Sequence, residues 1–497
     1  MARSETQKIS GRRREKEILD GFLHSPEAEF LAIYGRRRVG KTHLIREYCS
    51  PRAEIFFSVT GQKDAPLVTQ LFHFKQQLEQ TFYGGIPLPG LSSWDTALAL
   101  MADAVENRVK RGVSKPVVLF LDELPWLATP RSRLIQALDH CWNTRLSRIP
   151  AVRLVVCGSA ASWMLEHLIQ AKGGLHNRVT RRIRLDPFTL GESREFLEAR
   201  RAKFTPLQIL ELYIALGGVP HYLKQVEAGR SAAQNIGGIC FDKNGILFDE
   251  FPRLFSSLFG TSGIHEDLIR AIAKSRQGIL RDDLIRAVKT TSGGRLQQRL
   301  NELLEAGFIT ALTPYGYKGK YTAYRLIDEY AGFYLKWVEA APKGVFAKGS
   351  ADYWLGKAQT PGYRAWVGNA FEGICLKHTP QIMKALRITG VPTDVGTWRY
   401  IPRKNDSMDH GAQVDLLFDR ADGVINLCEL KYSQDVFQVD KRYAEELKEK
   451  ILIFEKNTRT RKDVFLTLVT THGLKRNAWS EDLVHHVVTM DALFEQD

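Results

Sequence analysis

A glycine-rich loop between an apolar run and a helix-like segment constrains this chain most strongly. The apolar run covers residues 30–34 and the helix-like pattern residues 43–48; between them stand Gly35, Arg36, Arg37, Arg38, Val39, Gly40, Lys41 and Thr42. This G-x-x-x-x-G-K-T spacing is typical of a loop that cradles a polyphosphate with backbone N–H groups and a helix N-terminus. We expect Lys41 to reach the β- and γ-phosphates and Thr42 to ligate Mg²⁺. The sequence therefore predicts that these eight residues bind ATP.

A second element of a phosphate-hydrolysing site follows an apolar run at residues 117–121. The run ends in Asp122 and Glu123, and continuous apolar runs are typical of central strands in parallel sheets. We expect Asp122 to hold Mg²⁺ and Glu123 to orient or deprotonate the attacking water. The next apolar run, residues 152–157, leads to Ser159. The sequence leaves open whether Ser159 senses the γ-phosphate or caps a helix.

Length and composition predict a multidomain globular protein. The chain has 497 residues, which predicts roughly three or four domains. No apolar run approaches the roughly 18 residues of a membrane helix, and residues 1–7 lack the apolar core of a signal peptide. The six cysteines are scattered, which predicts buried thiols rather than disulfides or a zinc site. We therefore expect a cytoplasmic protein with no membrane partner.

The charge balance indicates the chemistry of a partner. Seventy Lys and Arg residues against 56 Asp and Glu give a net charge of +14, with a pI of about 9.4. A basic excess favours polyanions, and nucleic acid, DNA first, is the partner that we expect. Part of the positive charge would bind the phosphates of the nucleotide, and excess charge also increases solubility.

Changes of pattern divide the chain into four predicted domains. Alternating strand and helix patterns over residues 1–175 predict a P-loop ATPase core with a parallel sheet. A helical pattern over residues 176–255 predicts a lid. Residues 256–345 predict a winged helix, and residues 346–497 predict a C-terminal α/β domain.

The predicted winged helix has two open interpretations. Helical runs at residues 265–274 and 281–288 precede an amphipathic helix at 295–305, and residues 315–320 would form the wing. DNA contact would fall to the helix at 295–305 with Lys318 and Lys320. The alternative is a module that packs against protein, since this fold alone does not settle function.

The C-terminal segment contains acidic residues on a predicted hairpin. Residues 413–418 and 424–431 read as two strands around a turn. Glu429 and Lys431 are two apart, so they share one face of their strand, and Asp415 lies on the neighbouring strand. Two carboxylates that hold Mg²⁺ and a lysine that orients the nucleophile suit metal-assisted phosphodiester hydrolysis. Glu372, on a helix predicted at residues 365–377, would add a third acid.

The order of these motifs resembles archaeal-type P-loop ATPases of the AAA+/STAND class with a winged helix and a C-terminal PD-(D/E)XK restriction-endonuclease-like domain. The resemblance covers nearly the whole chain and rests on GRRRVGKT, LFLDE, GGVPHYL, LLEAGFI and QVDLLF…CELK. It implies that Arg178 reaches the γ-phosphate of a bound nucleotide. In a homo-oligomer, this nucleotide would be the one bound by a neighbouring subunit. In the superfamily pattern a proline precedes the first acid. This chain departs from that pattern, because Val414 stands before Asp415.

Several functions are consistent with these residues. The first is an ATP-driven enzyme that docks nucleic acid and cuts it with Asp415, Glu429 and Lys431. The second is a non-cutting ATP-dependent switch or DNA-binding regulator, whose nuclease-like domain is structural or binds a partner. The third is a chromosomal-loading or transposition helper. Retention of both acids together with the lysine favours the first.

Overall fold

The computed structural model describes residues 9–169, 174–259, 263–289, 293–317, 319–342, 350–400, 402 and 411–496. The chain divides into two compact units: the first extends to Pro187 and includes Glu305–Gly307, and the second contains the remaining residues from Phe188 onward. Within the described ranges no helix is long and apolar enough to cross a membrane.

The first unit is built on a five-stranded parallel sheet. Its strands are β1 (Glu29–Tyr34), β2 (Ile55–Thr60), β3 (Val117–Asp122), β4 (Val152–Gly158) and β5 (Arg181–Arg184). Their order is β2-β3-β4-β1-β5, and each neighbouring pair is parallel. The central strands β3 and β4 are buried along their whole length, which explains their continuous apolar sequence.

Helices cover both faces of this sheet. They are α1 (Arg13–Leu23), α2 (Lys41–Cys49), α3 (Leu67–Phe82), α4 (Trp94–Lys110), α5 (Leu124–Leu127), α6 (Leu134–Thr144) and α7 (Ala161–Met164). One apolar cluster joins α3, α4 and α6 to the sheet and another joins α1 and α2 to it. The predicted P-loop ATPase core is therefore an α/β layer structure. Strand β5 pairs with β1, although it falls in the range predicted for the lid.

The second unit begins with helices. They are α8 (Leu190–Ala199), α9 (Pro206–Leu216), α10 (Pro220–Leu223), α11 (Ala232–Ile236) and α12 (Glu250–Phe259). Thr189 and Glu192 form a reciprocal capping box at the start of α8, which satisfies two backbone donors that a helix start otherwise leaves unpaired.

A module of three helices and a small sheet follows, with the order helix–strand–helix–helix–strand–strand. Its elements are α13 (Gly263–Ala273), β6 (Ile279–Leu280), α14 (Arg281–Val288), α15 (Gly294–Glu305), β7 (Ile309–Leu312) and β8 (Ala323–Leu326). The strands are antiparallel in the order β6-β8-β7. We call residues 263–326 the central module. All three predicted helices are confirmed within two residues at each end.

The connection between β7 and β8 is attached to the C-terminal part of the chain. The backbone N–H of Tyr315 donates to the carbonyl of Thr397 at 2.8 Å, and its ring stacks on Phe454 with centroids 5.9 Å apart. Lys318, predicted as a wing contact, lies outside the described residues, as does the side chain of Lys320.

The C-terminal part is a second α/β structure. Its elements are α16 (Glu329–Phe333), α17 (Ser350–Lys357), α18 (Pro361–Lys377), α19 (Thr379–Ala385), β9 (Thr393–Tyr400), β10 (Ala412–Arg420), β11 (Val424–Lys431), β12 (Phe437–Gln438), α20 (Lys441–Thr458), β13 (Asp463–Thr470), β14 (Leu474–Lys475) and β15 (His486–Thr489). The main sheet has the order β15-β13-β11-β10-β9. β9, β10 and β11 are antiparallel, and α20 crosses over to the parallel strand β13. The predicted hairpin of β10 and β11 is confirmed.

Candidate functional site

The glycine-rich loop connects β1 to α2 as its sequence predicts. Gly35 has a φ of 141° and Gly40 a φ of 94°, a region that favours glycine. A Cβ atom at Gly35 would also overlap the carbonyl oxygen of Leu185. The Lys41 ammonium is buried and donates to the carbonyls of Gly35 at 2.9 Å and Arg36 at 2.8 Å. Lys41 therefore lies inside the loop, where phosphate oxygens would replace the carbonyls as its acceptors.

The three arginines of the loop differ in exposure. Arg36 is buried, whereas Arg37 and Arg38 are partly exposed, and Arg38 has a φ of 73°. Arg12, which precedes α1, is also buried and donates to the carbonyl of Val39 at 3.2 Å. The segment before the first strand therefore supports the loop.

Two oxygen-bearing side chains meet beside the loop. The Thr42 hydroxyl donates to both carboxylate oxygens of Asp122, at 3.0 and 3.2 Å. Thr60, at the end of β2, donates to the same carboxylate at 3.4 Å. Asp122 is buried among neutral donors, and hard cations such as Mg²⁺ prefer oxygen ligands of this kind. The donor set of Thr42 and Asp122 therefore fits the predicted metal.

Glu123 is held by the neighbouring strand end. Its backbone lies in the left-handed region with a φ of 49°. Its carboxylate accepts hydrogen bonds from the Ser159 backbone N–H at 3.1 Å and the Ser159 hydroxyl at 2.9 Å. Helix α7 begins at Ala161 with Ala160 as its N-cap, so the helix-cap interpretation of Ser159 is wrong. Ser159 instead holds the carboxylate that sequence reasoning assigned to the attacking water.

Arg178 lies on the surface of the first unit. It follows a short 3₁₀ helix, Gly174–Asn177, and its side chain is exposed. Its backbone N–H donates to the carbonyl of Leu175 at 2.9 Å. Its predicted role at the γ-phosphate stays a prediction.

The second candidate site lies on β10 and β11. Leu416 pairs with Cys428 at the end of the antiparallel register, and Asp415 and Glu429 are the next residue on each strand. The pairing of β10 with β9 shifts between Val414 and Leu417. A β-bulge of this kind bends a strand and re-aims its side chains. The bulge coincides with Asp415.

Glu429 is surrounded by donors. Its carboxylate contacts the ammonium groups of Lys431 at 2.9 Å and Lys450 at 2.5 Å, and the Tyr443 hydroxyl donates to it at 3.1 Å. Burial of Glu429 opposes its ionisation, but the two ammonium groups outweigh burial and hold its pKa below the usual value. Glu429 is therefore a charged, already paired carboxylate.

Asp415 has the opposite electrostatic environment. Burial, followed by the negative charges of Glu429 and Glu372, raises its pKa well above the usual value. Glu372, on α18, is itself bound by Arg325 at 3.1 Å and lies 3.7 Å from Arg276. The three acids thus differ in their partners: Glu429 has lysines, Glu372 has arginines, and Asp415 has carboxylates nearby.

All four residues predicted for this site line one cavity of about 810 Å³: Glu372, Asp415, Glu429 and Lys431. Within the described part of the chain, no group of three or more His, Cys, Asp or Glu side chains is arranged to hold a metal ion. Asp415 and Glu429 are oxygen donors of the type that Mg²⁺ and Mn²⁺ prefer. The site therefore fits a cation by ligand type, but Glu429 is paired with two lysines and Glu372 is engaged by arginines.

Sequence reasoning missed residues that line this cavity, such as Lys450 and Arg276, and also Tyr443, which contacts Glu429. Lys450 and Tyr443 lie on α20, and Arg276 precedes β6 in the central module. Their positions follow from packing between elements distant in the sequence. The only sequence signal was the position of α20 directly after the acidic hairpin, where a crossover helix covers the sheet.

Comparison with known families agrees with the first site. Residues 11–226 match a family described as an ATPase domain predominantly from Archaea. Residues 11–226 are therefore similar to an archaeal-type ATPase domain, and this similarity, together with the strand–loop–helix geometry around Lys41, supports ATP binding and hydrolysis.

Individual relatives extend over more of the chain. An uncharacterized protein of Methanocaldococcus jannaschii, MJECL04, is 23% identical over 425 residues, which cover 82% of this chain and 83% of the relative. The Walker-type ATPase PABY2304 of Pyrococcus abyssi is 19% identical, covers 66% of this chain and 97% of its own, and gives a TM-score of 0.45. The ORC2 protein of Aeropyrum pernix is 16% identical, covers 70% and 95%, and gives a TM-score of 0.42.

Proposed function

We propose that this protein binds and hydrolyses ATP and acts on nucleic acid, with metal-dependent nuclease activity in its C-terminal domain. The ATPase assignment is carried by the contact between Thr42 and Asp122 beside the glycine-rich loop. Lys41 would bind the β- and γ-phosphates, and Glu123 would take or orient the proton of the attacking water.

Mg²⁺ would be held by Thr42 and Asp122, where it would neutralise charge that develops on the phosphates. Asp122 has neutral hydroxyl partners, so it can accept a cation without first losing an ion pair. Both hydrogen bonds from Ser159 reach the same oxygen of Glu123, and a carboxylate can accept further hydrogen bonds. Glu123 can therefore accept one from water while Ser159 holds it, which makes Ser159 a positioning residue for hydrolysis.

The nuclease proposal rests on one observation: Asp415, Glu429 and Lys431 line a single cavity. Asp415 and Glu429 would hold Mg²⁺ or Mn²⁺, and Lys431 would orient the attacking water. The element order α18-β9-β10-β11-α20-β13 supports a restriction-endonuclease-like domain. The order of elements in the central module supports a winged helix. We accordingly keep four domains, at residues 1–175, 176–255, 256–345 and 346–497.

A second function is favoured by the partners of Glu429. A carboxylate that already binds two ammonium groups is neutralised without a metal, and the third acid is engaged by arginines. Such a site would be structural, and the protein would be a non-cutting ATP-dependent switch or DNA-binding regulator.

One assay separates the two functions. Labelled single-stranded and duplex DNA and RNA are incubated with the protein and Mg²⁺ or Mn²⁺, with and without ATP. Under the nuclease proposal, Asp415→Ala removes cleavage and leaves ATP turnover within about twofold. Asp422→Ala is the matched control, because Asp422 lies in the exposed turn of the same hairpin. Absence of cleavage by the unmodified protein under every condition would favour the switch.

The exposure of Arg178 supports a role between subunits of a homo-oligomer. If Arg178 acts in trans, mixing Arg178→Ala protein with Lys41→Ala protein should restore part of the ATPase activity. The first variant keeps an intact loop and the second supplies the arginine. No recovery in a mixture that co-assembles would point to a role of Arg178 in its own subunit or to a structural arginine.

A further inference from the structure

A short turn of the central module forms part of the rim of the cavity that contains Asp415 and Glu429, which we call the acidic cavity. Residues 274–278 connect α13 to β6, and residues 274–277 line the cavity that contains Asp415 and Glu429. The cavity therefore combines residues from two parts of the second unit. The acidic hairpin supplies its interior, and this turn supplies part of its rim.

Hydrogen bonds fix the turn in this position. The Ser275 hydroxyl donates to the carbonyl of Gly278 at 2.6 Å, and Gly278 has a φ of 86°. The Gln277 side chain donates to Gln413, whose amide donates to Asp415 at 3.4 Å. The turn is thus connected through side chains to a predicted metal ligand.

The turn brings two cations to the rim. Lys274 and Arg276 are both exposed, and the side chain of Arg276 is 67% exposed. Arg276 lies 3.7 Å from Glu372, which has a closer and more buried partner in Arg325 at 3.1 Å. Exposed ion pairs of this length are weak, so Arg276 can exchange Glu372 for another anion at little cost.

We propose that Lys274 and Arg276 bind backbone phosphates of a nucleic-acid strand next to the bond that faces Asp415 and Glu429. This inference rests on the proposed function of the acidic site. A strand that approaches the interior carboxylates meets like charge, and cations at the rim offset that repulsion. The planar guanidinium of Arg276 can bind two phosphate oxygens at once, whereas Lys274 supplies a point charge.

The proposal assigns part of the central module to substrate positioning. Lys274 and Arg276 lie before β6, outside the amphipathic helix α15 for which sequence reasoning predicted DNA contact. Because Lys274 and Arg276 line the same cavity as Asp415, they would determine which phosphate of the strand enters the site. The hydrogen bond between Gln277 and Gln413 would keep the turn in this position.

The test compares two pairs of substitutions that remove the same charge from the same module. Lys274→Gln with Arg276→Gln alters the turn. The control pair, Arg286→Gln with Lys289→Gln, alters exposed cations at α14, away from the cavity. Binding of a fluorescein-labelled 30-nucleotide DNA strand is measured by anisotropy in EDTA from 50 to 300 mM salt, and Mn²⁺-dependent cleavage is measured separately.

We expect the turn pair to weaken binding about tenfold and to reduce the salt slope by about 1.4, since each phosphate contact with a single strand contributes about 0.7. The control pair should stay within about threefold. The charge-preserving pair Lys274→Arg with Arg276→Lys should recover most of the affinity. Equal losses in the turn and control pairs, or no loss in the turn pair, would overturn the proposal.

The two readouts separate this proposal from the nuclease proposal. Selective loss of binding in the turn pair supports the phosphate contacts even if the unmodified protein cuts nothing, an outcome that would overturn the nuclease alone. Cleavage by the unmodified protein with unchanged binding and unchanged KM in the turn pair would support the nuclease and overturn the phosphate contacts.

Discussion

The two candidate sites use the same acidic chemistry with opposite partners. Asp122 accepts hydrogen bonds from the neutral hydroxyls of Thr42 and Thr60. Glu429 is bound by the ammonium groups of Lys431 and Lys450. A cation that arrives at Asp122 meets an unneutralised carboxylate, whereas a cation that arrives at Glu429 must compete with two positive charges.

This contrast shows that the presence of a metal-binding motif does not by itself make its carboxylates available to a metal ion. Both sites contain the residues that their motifs require, and both hold them close together. The loop site can take a metal after small rotations of hydroxyl groups, since a hydroxyl can both donate and accept. The hairpin site must break charge-assisted hydrogen bonds, which are the stronger kind. The difference predicts that metal binding at the hairpin depends on its lysines.

The largest effect should come from Glu123. Glu123→Gln removes the base that handles the proton of the attacking water, a contribution of typically 10²–10⁴-fold, so ATP turnover should fall by about that factor while ATP binding persists. Turnover and binding are measured with radiolabelled ATP. Glu47→Gln, on α2 of the same unit, is the control. Turnover at the parent rate would show that the water-activating group is misassigned.

Lys41→Ala should have the next largest effect. The ammonium lies within the loop in contact with two carbonyls, and loss of charged hydrogen bonds to phosphates costs about 1.5–3 kcal/mol each. ATP affinity, measured by calorimetry, should fall at least about 100-fold. Lys110→Ala, at the exposed end of α4, should bind normally. Unchanged affinity in Lys41→Ala would remove the central assumption about the loop site.

Lys450→Met tests the competition at the hairpin directly. Without this ammonium, Glu429 loses one of its two cationic partners among the described residues, and the affinity for Mn²⁺ should rise about tenfold, equivalent to about 1.4 kcal/mol. Calorimetric titration with Mn²⁺ measures the change, and Lys448→Met, exposed on the same helix, is the control. A fall in affinity would mean that Lys450 orients Glu429 for the metal instead of competing with it.

Ser159→Ala should give the smallest effect. The variant keeps the backbone N–H bond to Glu123 and loses the hydroxyl bond of 2.9 Å, a net change of about 1 kcal/mol. ATP turnover should change by less than about tenfold. Ser159→Thr retains a hydroxyl and should stay near the parent value. A loss as large as that of Glu123→Gln would give Ser159 its own contact with the reacting phosphate.

Local sequence predicted the loop site because its parts are short and contiguous. The spacing of Gly35, Gly40 and Lys41 fixes both the turn and the helix start, and apolar runs marked β1, β3 and β4. The meeting of Thr42 with Asp122 follows because β1 and β3 are parallel, so their carboxyl ends lie at one edge of the sheet.

The hairpin was equally predictable, but its surroundings were not. The two strand-like runs and the turn near Gly423 predicted the hairpin that brings Asp415 and Glu429 to neighbouring strands. Lys450 and Arg276 reach the cavity through the docking of α20 and the central module, and nothing in their local sequence distinguishes them from other surface cations. Partners of this kind determine whether a carboxylate is available to a metal ion. This availability therefore depends on tertiary packing and cannot be inferred from the local sequence.

The attachment of Tyr315 to β9 and α20 has a consequence for folding. Because the loop between β7 and β8 bonds to the carbonyl of Thr397 and stacks on Phe454, the central module and the C-terminal sheet should melt together. Calorimetry of the intact chain should show one cooperative transition for both. Tyr315→Ala should split that transition in two, with the three-helix module unfolding at the lower temperature.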